Sequence, residues 1–330
     1  MKKKNILTLI SIFFLSLISF GYYLKFSPFA YPDTQVEYDA KIGMWHKKNF
    51  TGVIAEECYR NSYEFDAKGM LKSTYNYDSK KKDVILLGDS YLENLMLESE
   101  NRIHNLLAKQ FNNKYNFLNY GLAGSSPVEQ LVILKEKVNL NSAKYVLHLV
   151  TLWNDLKGVN AKNLDPLARP KVYIDFKTLD DYTLFPPRKK NLYDGIGDVI
   201  SGFGAYYFLV NSLYYIRDII EPEKKTKDSD MDNKHDLPKN WLQLKGAIYQ
   251  TNKHIIEYGV EYKIVISSKH EENGKKFAEF LNKQNIDYIL LDKYVKEKKL
   301  ELESFSCDNH WNAKTLLRIS KLIQKVGLIR

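Results

Sequence analysis

Cysteine is almost missing from this 330-residue chain: only Cys58 and Cys307 occur. They are far apart and lack any Cys-x-x-Cys pair, so a zinc site is not expected and no metal is assigned. The chain also has no Gly-x-Ser-x-Gly elbow. The pair Gly195-Ile196-Gly197 has no strand before it and lacks the third spaced glycine, which leaves a dinucleotide site unsupported. Wholesale disorder is excluded too. A hydrophobic content of 44% supports one large domain or two small ones, each with a core.

Charge is absent from residues 6–24, which follow Lys2-Lys3-Lys4-Asn5 and are rich in Ile, Leu and Phe. That length can span a bilayer, with the lysines held in the cytoplasm. A cleaved signal peptide is the other reading, but Lys25-Phe26-Ser27-Pro28-Phe29-Ala30 makes a poor small-x-small cleavage site. The expectation is an N-terminal transmembrane helix, residues 1–25, with everything after it periplasmic or extracellular. Nucleic acid is then not expected as a partner. The net charge of +9 falls to about +6 without the three topogenic lysines. The remainder, including runs at 80–82 and 293–299, reads as a solvated basic surface or, alternatively, as attraction to an anionic envelope polymer or lipid surface.

Residues 26–81 are Tyr-rich, polar and without sustained period, and read as a connector packed on the following domain. From there a βαβαβ rhythm begins: strand 83–88, helix 92–110, strand 115–119, helix 126–138, strand 144–151. It resumes after an insertion at 156–238 with helix 239–258, strand 261–267, helix 272–284, strand 286–291 and helix 312–326. Such alternation predicts an α/β fold, a three-layer doubly wound parallel sheet with active residues at the carboxyl ends of its strands. Residues 82–330 therefore form one domain. Within the insertion, 171–176 suits a short strand and Pro186-Pro187 a turn, while 199–220 reads as an aromatic helix. Gly202, Gly204, Asn211, Arg217 and Asp218 interrupt that helix, which favours a lid over a second membrane span. Residues 221–237 read as a flexible charged loop.

Four sites fall at the predicted carboxyl edge. Gly88-Asp89-Ser90 ends the first strand and precedes a helix, so the Ser90 hydroxyl projects beside helical N–H groups. The loop Asn119-Tyr120-Gly121-Leu122-Ala123-Gly124-Ser125-Ser126 can turn its N–H groups toward an anion. Thr151-Leu152-Trp153-Asn154-Asp155 ends the third strand with a side-chain amide, and Asp308-Asn309-His310-Trp311-Asn312 precedes the last helix. Taken singly, Asn154 and Gly124 are also good cap and turn residues. His148 reads as a core histidine, His104 and His254 as partly exposed helix residues, and His270 as the one rival base.

Ser, Gly, Asn and His in this order resemble the SGNH hydrolases, also called the GDSL esterase family, over about residues 82–155 and 239–328. The resemblance implies a flavodoxin-like sheet and no cofactor. It implies Ser90 as nucleophile and His310 as general base, with Asp308 as the acid orienting that base. Ser90, Gly124 and Asn154 would then be the oxyanion-hole donors. Tyr91 stands where the family's short motif has leucine, and Leu152 where the third block often has glycine. The family's usual Asp-x-x-His spacing would put the acid at Cys307; the Asp-x-His-Trp-Asn arrangement found here is similar to that of envelope relatives. If Cys58 and Cys307 pair in an oxidising compartment, the loop of Asp308 and His310 is fastened to the segment around Tyr59.

The expected activity is that of a membrane-anchored serine esterase removing acyl groups, O-acetyl foremost, from an envelope glycan. Transfer of the acyl group to a sugar hydroxyl would use the same residues. Lipid esters are a third substrate option if the aromatics at 206–215 form an acyl-binding lid. A non-catalytic anchored binding or assembly protein on the same fold is the reading from a different class.

Overall fold

Two hairpins occupy part of the stretch read as irregular. In the computed structural model, β1 (Val36–Asp39) pairs antiparallel with β2 (Gly43–His46), and β3 (Thr51–Glu56) with β4 (Tyr59–Glu64). The structure describes residues 8, 11–16, 18–20, 35–159, 170–189, 237–298 and 300–330. Gly43 turns the first hairpin at φ +101°, and a Cβ there would lie 2.3 Å from the Pro170 carbonyl oxygen, so no other residue fits. These strands are short and of mixed burial, with both ends of β3 and the Glu64 end of β4 exposed, which is why no periodic pattern marks them. Ile42 and Trp45 nevertheless bury themselves in the main core.

A parallel sheet of five strands follows: β5 (Asp83–Leu87), β6 (Asn116–Asn119), β7 (Ala143–Thr151), then β10 (Glu261–Ser267) and β11 (Asp287–Leu290). Between β7 and β10 lies a separate hairpin, β8 (Tyr173–Phe176) with β9 (Tyr182–Phe185). The spatial order β11-β10-β7-β5-β6 is the 2-1-3-4-5 winding, in which the chain reverses direction between β5 and β7. Ends of those two strands border the crevice where such sheets carry their ligands.

Eight helices are described beyond residue 35: α1 (Ser90–Glu93), α2 (Ile103–Gln110), α3 (Pro127–Lys137), α4 (Leu152–Gly158), α5 (Leu237–Ile256), α6 (Glu271–Lys283), α7 (Leu291–Glu297) and α8 (Ala313–Lys325). Alternate residues of β5 feed two cores. Ile85 and Leu87 join α3, α5 and α6 on one face, whereas Val84 and Leu86 join α2 and α8 on the other. Helices on both faces explain why β5 is buried throughout and apolar from Val84 to Leu87.

The single helix expected over 92–110 is broken. Asn94 adopts a left-handed conformation (φ 52°) and ends α1 after one turn; a 3₁₀ turn, Ser99–Asn101, precedes α2. Helix α7 replaces the end of the strand expected to run to residue 291. Of the expected anchor, only residues 8, 11–16 and 18–20 are described; they are helical and exposed. Among the described residues no helix is long and apolar enough to cross a membrane. The helix expected at 199–220 and almost all of the stretch expected as a charged loop at 221–237 lie outside the described residues.

Candidate active site

The β5–α1 turn is set by its three residues. A Cβ at Gly88 would lie 2.8 Å from the Leu92 side chain and 3.2 Å from the Leu149 carbonyl, so glycine lets the turn pack against β7. Asp89 caps α1: its Oδ1 accepts the Tyr91 N–H at 2.9 Å. Ser90 then opens the helix, half-buried at the carboxyl edge.

Ser90 Oγ lies 2.7 Å from His310 Nε2, and His310 Nδ1 lies 2.6 Å from Asp308 Oδ1. An ionised carboxylate only accepts, so Nδ1 carries the proton and Nε2 is left to accept from the serine hydroxyl. Asp308 Oδ1 also accepts the His310 backbone N–H at 3.1 Å, a short local closure that suits the two-residue spacing. Its other oxygen accepts from Tyr59 Oη at 3.2 Å. Burial opposes the charge on Asp308, but the His310 ring and backbone together with the Tyr59 hydroxyl hold its carboxyl below the ordinary range. Cys58 and Cys307 are joined by a disulfide next to this contact. Tyr91 packs against the His310 ring at 4.8 Å and donates its hydroxyl to the Asn309 carbonyl, fixing the imidazole from the serine side. His270, the rival base, instead sits at the start of α6.

Asn154 is brought to the same turn by β7. Its Nδ2 donates to Asp89 Oδ2 at 2.6 Å, and the Thr151 hydroxyl donates to the same oxygen at 2.8 Å. One amide hydrogen is thereby spent on orientation, and the other stays free to donate. The glycine-rich loop reaches the turn through the Leu122 N–H and the Ser125 hydroxyl, both donating to the Gly88 carbonyl at 3.1 and 3.3 Å. Gly124 is exposed, with φ +68°. Neither its N–H nor that of Ser90 has a hydrogen-bond partner among the described residues. Five residues named from sequence are therefore placed on four segments around one edge, the acid and the base on the same loop.

Several neighbours escaped sequence reading. Asp89 ties the serine turn to Asn154, and its position immediately before a helix was the available signal. Burial pushes its carboxyl up despite the donors around it. Asp155 is likewise raised well above its ordinary value by burial, with the Asp89 charge adding to it. His104 is fully buried, contrary to expectation: Asn119 Nδ2 donates to its Nδ1 at 3.2 Å, and its Nε2–H reaches the Lys72 carbonyl at 3.3 Å. His148 is buried, as read. Among the described residues no three His, Cys, Asp or Glu side chains group to hold a metal ion.

No protein-family model matches the chain, and no curated protein does. Solved structures of G-D-S-L and acetylesterase proteins are similar to it. A protein of the G-D-S-L family from Desulfitobacterium hafniense DCB-2 shares 9% identity over 74% of this chain and 99% of its own, with a TM-score of 0.41. A catalytic mutant of Axe2, an acetylxylan esterase from Geobacillus stearothermophilus, shares 9% over 76% and 96%, at 0.40. A carbohydrate acetylesterase family member from Sinorhizobium meliloti shares 9% over 74% and 96%, at 0.32. Identity this low leaves the roles of individual side chains to this chain's own geometry.

Proposed function

We propose that the protein is a serine ester hydrolase of the SGNH kind that removes acyl groups, O-acetyl foremost, from an envelope glycan through an acyl-enzyme on Ser90. The observation that carries this reading is the unbroken relay from Ser90 Oγ through His310 to Asp308 at the β5–β7 crevice. Ser90 Oγ bonds to the acyl carbon while its proton passes to His310 Nε2, and the carbonyl electron pair moves onto oxygen. Asp308 stabilises the imidazolium. The oxyanion meets the Ser90 and Gly124 N–H groups and the second Asn154 amide hydrogen; a donor of this sort is worth about 2.7–4 kcal/mol in the transition state. Collapse expels the sugar oxygen, which takes the proton from His310. Water then enters, gives a proton to His310 and releases the carboxylic acid by the same route in reverse.

An outward location behind an N-terminal anchor belongs to the same proposal. It is supported by the uncharged stretch at 6–24 behind three lysines and by the disulfide, a bond that persists in oxidising compartments. Acetate release from an O-acetylated glycan, measured with and without a non-acetylated acceptor, tests the chemistry. Release by wild type that is lost in Ser90→Ala is expected. Acetyl transfer dominating once acceptor is present would replace the hydrolase by an O-acyltransferase.

A further inference from the structure

Helix α1 is a single turn, and its two ends do different things. Ser90 opens it; Glu93 closes it, 2% exposed and without a place in the relay. Glu93 Oε2 accepts the Ala123 N–H at 3.0 Å, immediately before Gly124 in the glycine-rich loop. Backbone meets backbone nearby, since a Cβ on Gly121 would lie 2.7 Å from the Glu93 nitrogen. On the far side of the same loop, Lys171 Nζ donates to the Gly124 carbonyl at 2.7 Å. The Gly124 N–H thus lies between an N–H and a carbonyl that are both held, so its direction is fixed relative to the serine turn.

The other carboxylate oxygen explains why Glu93 does not swing away. Oε1 lies 2.7 Å from His46 Nε2 and accepts from Gln35 Nε2 at 3.3 Å. His46 is fully buried and stacked on Phe65 at 4.1 Å, and its Nδ1–H donates to the Gly69 carbonyl at 2.9 Å. With Nδ1 committed as a donor, Nε2 and Glu93 Oε1 share one further proton. Leaving either partner unpaired in this dry setting is costly, which locks the geometry.

We propose that Glu93 is a positioning residue which, braced by His46, clamps the oxyanion-donor loop to the turn that carries Ser90. The inference rests on the esterase reading for its catalytic consequence but not for its structural one. The first hairpin, which supplies His46, is then a working part of the site. Glu93 acts through Gly124 and touches no substrate.

Two readouts on the full chain test the clamp: hydrolysis of 4-nitrophenyl acetate, and amide hydrogen exchange of residues 121–125 followed by mass spectrometry. Glu93→Ala and Glu93→Asp, which remove the acceptor or draw it back, should lower kcat by about 10²-fold with KM within about threefold, as expected for a misplaced transition-state donor. Both should speed exchange in 121–125. Glu93→Gln keeps an oxygen for the Ala123 N–H and should recover kcat to within about fivefold of wild type, with exchange protected. Wild-type kcat, or unchanged exchange, in a folded Glu93→Asp protein would overturn the clamp; that variant decides if Glu93→Ala does not fold. Should wild type cleave no ester while exchange follows the predicted order, the clamp stands and the esterase reading falls.

Discussion

Tyr59 donates its hydroxyl to Asp308 across 249 positions of sequence, one residue away from the disulfide that joins Cys58 to Cys307. The acid that orients His310 is therefore supported by the β3–β4 hairpin and not by its own loop alone. The Cys58→Ser/Cys307→Ser double variant should lose about 2–4 kcal/mol of stability, in the range usual for a native disulfide. Its kcat should also fall severalfold as the loop of Asp308 and His310 loosens. Urea unfolding and ester kinetics measure the two; unchanged kcat would mean that the loop keeps its geometry without the bond.

Asp308→Asn offers a sharper test of the relay. An amide nitrogen facing His310 Nδ1 would donate, forcing the ring proton onto Nε2, where it can no longer accept from Ser90. The expected loss is about 10⁴-fold in kcat, with substrate binding spared. A loss below about tenfold would show that Ser90 and His310 suffice as a pair.

Asn154→Ala should lower kcat by about 10²–10³-fold at nearly constant KM, since the donor matters only when negative charge develops. It also removes a donor from buried Asp89, so a modest stability loss should accompany it. A rise in KM at constant kcat would place Asn154 in ground-state binding instead.

Stability should respond to pH through His104. Burial, with Arg102 adding to it, depresses its pKa from the ordinary 6.5 to about 3. Below about pH 6.5 the unfolded chain takes up a proton that the folded chain refuses, so this contribution is complete above pH 6.5 and is lost as pH falls toward 3. His104→Gln should therefore flatten the pH dependence of unfolding free energy by about 1.4 kcal/mol per pH unit in that window. Urea unfolding at about pH 7 and about pH 5 reads the difference, and parallel slopes would contradict it.

The parts of the fold that were legible in sequence are those whose environment is uniform. β5 and β7 are buried on both faces, so apolar runs announce them, Val84 to Leu87 in the first and Tyr145 to Val150, broken only by His148, in the second, and Ser90 and Asn154 follow directly from where those runs end. The hairpins at 36–64 were not legible, because short strands with mixed burial leave no period to detect. Asn94 was opaque for another reason: a left-handed residue that stops a helix after one turn looks like any polar helix residue until its backbone is seen. Glu93 and His46 could not be paired from sequence, since 47 positions separate them and neither belongs to a motif. The same holds for His104, whose buried partners come from other segments of the chain.

The most direct test of the central claim is fluorophosphonate labelling of the purified chain, with the modified residue located by peptide mass spectrometry. The account predicts a single adduct on Ser90 that is absent from Ser90→Ala and strongly slowed in His310→Ala. No adduct on wild type, or an adduct on another serine that persists in Ser90→Ala, would contradict it.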